Sequence, residues 1–136
     1  MNHNFTRTVL ITWSMGWAIG VIGCSGTHES TISGTVQLDN KPLESGTVTF
    51  HPIADGPLVY GQIGSGGRYE AKTGSAKGLL PGEYAITIAA TGPPPPDYSP
   101  PELLTPKKYS DKSTSGLQRT VKAGRNTFDF ELTSGD

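Results

Sequence analysis

Glu83-Tyr84-Ala85-Ile86-Thr87-Ile88-Ala89-Ala90 places Tyr84, Ile86 and Ile88 on one face and Ala85 and Thr87 on the other. That is the two-residue period of a strand with one buried and one wet face. Pro81-Gly82 stands immediately ahead of it, and glycine there suits a sharp turn into the strand, because a positive φ is cheap only without a Cβ. The same alternation recurs on both sides. Upstream, 31–38 (TISGTVQL) puts Ile32, Val36 and Leu38 on one face, 46–51 (GTVTFH) turns Val48 and Phe50 inward, and 58–64 and 68–73 (RYEAKT) are shorter strands. Downstream, 117–123 is a sixth strand, and 127–132 (TFDFEL) points Phe128, Phe130 and Leu132 inward as a seventh.

Turn residues separate these runs: Asp39-Asn40-Lys41-Pro42, Gly66-Gly67 and Gly124-Arg125-Asn126, the last predicting a tight turn into the final strand. Glycine (18) and proline (11) exceed a fifth of the 136 residues, which favours a turn-rich fold over a helical one. Beyond residue 30 no stretch carries a 3.6-residue period, and 74–81 (GSAKGLLP) holds one helical turn at most. Seven strands, each with one apolar face, predict an all-β domain built as two sheets packed face to face, a β-sandwich.

The segment 91–115 breaks the rhythm with Pro93 to Pro96, Pro100, Pro101 and Pro106. Proline removes ladder donors and favours polyproline II. A connection of this length is either a crossover between sheets or a functional loop. Its apolar groups, Tyr98, Leu103, Leu104 and Tyr109, are too many for a purely solvated linker. They predict a split, with 103–109 docked on the domain and 93–99 mobile.

At the amino terminus Arg7 precedes an apolar run, Val9 to Ile22, which ends on Gly23, Cys24, Ser25 and Gly26. This is the charge, apolar and small-residue order of a secretory signal. As a helix the run would span about 21 Å, short of the ~30 Å hydrocarbon core. Val21-Ile22-Gly23-Cys24 resembles the lipobox of bacterial lipoproteins. The resemblance implies a signal peptide over 1–23, diacylglycerol on Cys24, and a lipidated Cys and polar tether over 24–30. It further implies an exported domain, facing the periplasm or exterior and held at the cell membrane or outer membrane through lipid on Cys24. As the one cysteine in the chain, Cys24 forms no internal disulfide.

Three segments resemble the carboxypeptidase regulatory-like domains: Ser33 to Leu43 with Gly46 to Phe50, Gly67 to Glu70, and Leu80 to Ile88. The close of the chain, Lys108 to Leu117 and Gly124 to Leu132, is similar to short lipoproteins of planctomycete-type bacteria carrying such a domain. The resemblance covers roughly residues 31–132 and implies a seven-stranded Greek-key β-sandwich of the transthyretin-like (prealbumin-like) kind over 31–136, with no particular reaction attached. Ser65-Gly66-Gly67 stands where that family usually has acidic turn residues, which weakens any metal site there.

Eleven basic against twelve acidic residues leave a net charge of −1 and no basic stripe, so composition argues against a nucleic-acid partner. Beyond residue 24 there are two histidines, His28 and His51. This is too few for the common zinc sets, and no Gly-x-Ser-x-Gly elbow offers a nucleophile. The hydrolases of purine degradation that share the transthyretin-like fold carry paired histidines, an arginine and a C-terminal Tyr-Arg-Gly-Ser, whereas this chain ends Leu132-Thr133-Ser134-Gly135-Asp136. Glu70 and Glu83 could be imagined as a glycosidase couple, but exposed strand carboxylates without such a role are far commoner. The sequence therefore predicts a non-catalytic envelope module without cofactor or metal, structural or binding an envelope protein or glycan. The alternative is a small-ligand or saccharide binder that uses Tyr98 and Tyr109 of the 91–115 loop, since aromatic rings stack on apolar ligand faces.

Overall fold

The computed structural model describes residues 30–73, 76–77 and 79–135. The expected signal peptide, Cys24 and the tether as far as residue 29 lie outside the described residues. Among the described residues ten strands follow one another: β1 (Ser30–Leu38), β2 (Lys41–Pro42), β3 (Gly46–Pro52), β4 (Val59–Ile63), β5 (Arg68–Thr73), β6 (Ala76–Lys77), β7 (Gly82–Ala89), β8 (Leu117–Val121), β9 (Gly124–Thr127) and β10 (Phe130–Leu132). Two 3₁₀ turns, Ser65–Gly67 and Lys107–Ser110, are the remaining regular elements among the described residues. None of their helices is long and apolar enough to cross a membrane. The fold is all-β.

One curled sheet runs in the order β10-β1-β5-β4-β3-β7-β8. Its pairings are antiparallel except where β9 and β10 lie parallel to β1. β1 with β2, β3 with β4, β4 with β5 and β5 with β6 pair across short connections, whereas β7 and β8 pair across the long 91–115 segment. Asp39 and Asn40, at φ 51° and 64°, form the two-residue connection that sets Leu38 opposite Lys41, the geometry whose twist suits a hairpin. Gly82 has a φ of 153°, as its place before the β7 alternation predicts.

The alternation reads true in the core. Ile32, Val36, Val48, Phe50, Val59, Ile86 and Ile88 are fully buried, and Phe130 and Leu132 nearly so. Phe128 differs from its two partners, being half-buried at the core margin. An aromatic row crosses the interior. Tyr84 meets Phe50 edge-on at 6.3 Å, Phe50 lies 6.2 Å from Tyr69, and Tyr69 lies 6.2 Å from Phe130. Phe50 and Tyr69 sit on β3 and β5, with β4 between them. They meet because β4 carries Gly61 at the inward position: a Cβ there would lie 2.7 Å from Tyr69 Cδ2. Both tyrosines keep a partner for the hydroxyl, Tyr69 donating to the Phe128 carbonyl and Tyr84 to the Leu80 carbonyl, each at 2.7 Å. Burial pushes the Tyr69 phenol far above its ordinary range.

Two local readings are corrected. Gly124-Arg125-Asn126 is not a tight turn but the body of β9, paired with Ser30 to Ile32 of β1. The chain reverses just before it, at Lys122 and Ala123. There the Asn126 side chain accepts from the Lys122 amide (3.0 Å) and donates to the Lys122 carbonyl (2.7 Å), replacing a backbone ladder between β8 and β9. Within 74–81, Ala76–Lys77 pairs with β5 and Leu79 bridges to Ser30, so the described part is extended, within the limit of one helical turn that the sequence sets. The sixth strand ends at Val121 instead of 123.

The 91–115 segment covers the part of β7 that β8 leaves unpaired. Leu104 donates to the Ala90 carbonyl (2.8 Å), and the buried Thr105 hydroxyl accepts from the Ala90 amide (3.1 Å). An open edge is thereby closed by a loop.

Candidate polar groove on the outer sheet face

Outward side chains are set by the pleat, so the polar halves of β1, β5 and β9 face solvent together. Register brings Thr31 opposite Arg125 and Ser33 opposite Thr127 on one side, and Ser33 opposite Glu70 and Thr35 opposite Arg68 on the other. These residues line an open groove of about 860 Å³. A second depression of about 320 Å³ adjoins it and shares Gln62 and Glu70 with it. Its walls include Tyr60 and Lys72, directly paired across β4 and β5, and Tyr60 is half exposed.

The groove floor is fixed where β1 passes Phe128. β9 and β10 follow one register along β1, interrupted only at Phe128 and Asp129. There the Phe128 carbonyl lies over Gly34 and accepts from Tyr69, and the Asp129 carboxylate takes its place in the ladder. Asp129 Oδ1 accepts from the Thr35 amide (2.8 Å) and the Thr35 hydroxyl (2.9 Å). The floor is therefore rigid, while the hydroxyls of Ser33 and Thr127 and the guanidiniums of Arg68 and Arg125 stand along it. Guanidinium forks and hydroxyls suit ligands rich in hydroxyl or carboxylate groups.

His51 lies on the same outer face, farther along the sheet, half-buried and not freely solvated as its place at a strand end suggests. Its Nε2 is 3.0 Å from Thr87 Oγ1. Nucleophilic catalysis needs a base oriented by a third group, and the hydroxyl here is buried with its residue. The contact ties β3 to β7. Desolvation, then the charge of Lys112, holds the His51 pKa below the ordinary 6.5. The unfolded chain takes the proton first. Stability from this group is complete above 6.5 and falls as the pH drops through that value towards the folded-state pKa. Thermal midpoints should therefore decline on acidification through about pH 6, and His51→Gln should flatten that part of the curve. An unchanged decline in the variant would remove His51 as the cause.

The residues nominated from sequence separate. Tyr98 is 99 % exposed at φ 60°. Tyr109 is buried, and its hydroxyl accepts from the Thr133 amide at 3.2 Å. The loop therefore presents one tyrosine ring to solvent, not two. Glu70 and Glu83 also stand apart: β4 and β3 intervene, which puts them at least about 14 Å apart along the sheet at ~4.8 Å per strand. That exceeds the ~5–9.5 Å of glycosidase pairs. Among the described residues no group of three or more His, Cys, Asp or Glu side chains could hold a metal ion. Tyr60, Arg68 and Arg125 were not singled out by sequence; their signal was an outward position beside inward Val59, Tyr69 and Asn126.

No protein-family profile and no curated protein matches the chain. Among solved structures, a 9R-lipoxygenase from Cyanothece PCC8801 aligns over 76 % of this chain and 16 % of its own length, at 17 % identity and a TM-score of 0.33. The chain thus spans about a sixth of that enzyme, and a likeness at this level carries no functional argument.

Proposed function

We propose that this chain is an exported, lipid-anchored module of a bacterial cell envelope that binds an extended envelope glycan without transforming it. The observation that carries the reading is the continuous polar lane over β9, β1, β5 and β4, with hydroxyls, two guanidiniums and the half-exposed Tyr60 ring along it. Aromatic rings stack on the apolar faces of sugars, while hydroxyls and arginines meet their polar edges. Anchoring rests on the Val21-Ile22-Gly23-Cys24 lipobox. The finer architecture we propose is the seven-stranded Greek-key sandwich of the transthyretin-like, carboxypeptidase regulatory-like kind. β1, β3, β4, β5, β7, β8 and the β9–β10 run supply its seven strands.

A glycan array probed with the full chain tests the reading. Tyr60→Ala should weaken a saccharide signal about fivefold, the loss of about 1 kcal/mol of stacking. Arg125→Ala should weaken it as well, and Tyr98→Ala should not. The exposure of Tyr98 supports a second reading, a contact for a partner protein or saccharide on the loop. Signal lost in Tyr98→Ala and kept in Tyr60→Ala would select it over the lane.

A further inference from the structure

We infer that the end of the domain holding Ser30 is a membrane-docking surface that rests on the bilayer through Ile53, Leu58 and Leu80. The inference depends on the lipid anchoring proposed above. Strand directions define this end. β1, β7 and β9 begin there, and β3, β5 and β8 finish there. The 53–58 connection and Leu80 therefore belong to the same end as Ser30, which bridges to Leu79. Ile53 is 56 % exposed, Leu58 42 % and Leu80 50 %, and no described element covers them. Lys72, Lys122 and Arg125 stand at this end, with Asp55 and Glu83 as its acidic groups. Asp39, Glu44, Glu102 and Glu131 are at or towards the other end, and Glu70 and Asp129 lie between the two.

The length of chain outside the structure supplies the occupant. Six peptide units separate Cys24 from Ser30, a reach of at most about 22 Å. The nine-residue strand β1 alone is about 30 Å long. Ser30 itself is fully buried, bonded to Leu79 through both its amide and its carbonyl, and paired with Gly124 on its other side. The tether thus starts from a fixed point with no slack inside the fold. An anchor this short keeps the Ser30 end next to the lipid and the 91–115 loop, with Tyr98, at the far end. Exposed aliphatic side chains flanked by cations are what an interfacial surface offers a bilayer.

The test uses the full lipidated chain in phosphatidylcholine vesicles with brominated acyl chains. Variants Ile53→Cys, Leu80→Cys and Tyr98→Cys each carry a polarity-sensitive fluorophore on the new thiol, the Cys24 thiol being acylated. All three positions are exposed, so the label does not enter the core. Emission from positions 53 and 80 should be lost to bromine quenching, and emission from 98 should be unaffected. If the chain floats with the vesicles and positions 53 and 80 are quenched no more than 98, the docking surface is wrong and the anchor stands. If the chain does not float, the anchor is wrong and the docking surface falls with it.

Discussion

Gly34→Val is expected to lower the stability of the domain by about 3 kcal/mol or more, the upper range for overpacking a filled site. A Cβ at residue 34 would sit 1.8 Å from the Phe128 carbonyl oxygen and 2.6 Å from its carbon. Both are backbone atoms and cannot swing aside like the end of a side chain. The β9–β10 run would have to lift off β1. That breaks the bond from Tyr69 to Phe128 and the two bonds from Thr35 to Asp129, and it opens the groove floor. Gly56→Ala is the control, since the added methyl meets only Pro52 side-chain carbons, at 3.4 and 3.5 Å. It should change little. Denaturant unfolding compares the two, and a Gly34→Val loss under about 1 kcal/mol would mean that the β1–β9–β10 seam yields.

Phe50→Ala should cost about 3–5 kcal/mol, the usual range for emptying a buried aromatic site. Phe50 is fully buried at the middle of the aromatic row, touching Tyr69 on one side and Tyr84 on the other. Neither neighbour is free to collapse into the space, because each hydroxyl is bonded to a main-chain carbonyl. The cavity therefore stays largely open. The loss should appear as a lower denaturant midpoint at unchanged slope, with weakened near-ultraviolet tyrosine dichroism. A loss near 1 kcal/mol would show that the row repacks. Because small domains hold about 5–15 kcal/mol in all, either variant removes a large share of the total.

Alternation made the inward faces of β1, β3 and β7 legible without any structure, since a period of two survives in the residues themselves. The β9 strand was hidden because Gly124-Arg125-Asn126 has turn composition. Its extended form is imposed by pairing with β1, 94 positions earlier, which no local pattern records. The same distance hid the groove. Thr31, Ser33, Arg68 and Arg125 each read as an ordinary outward residue, and only the strand order makes them neighbours. Proline content marked 91–115 as unusual, and the docking of 103–109 is partly legible: Thr105 and Tyr109 are buried, while the side chains of Leu103 and Leu104 stay exposed. Which tyrosine ring would be spent on packing depended on Thr133, a contact no spacing announces.

Anchoring is the claim on which the functional account stands, and the intact mass of the chain recovered from a detergent-extracted membrane fraction tests it most directly. The account predicts a chain that begins at Cys24 and carries a diacylglyceryl group on the thiol and an acyl group on the new amino terminus, and it predicts that Cys24→Ser leaves the membrane fraction. A chain recovered there with Cys24 unmodified, or a Cys24→Ser variant that stays membrane-bound until detergent is added, would contradict it.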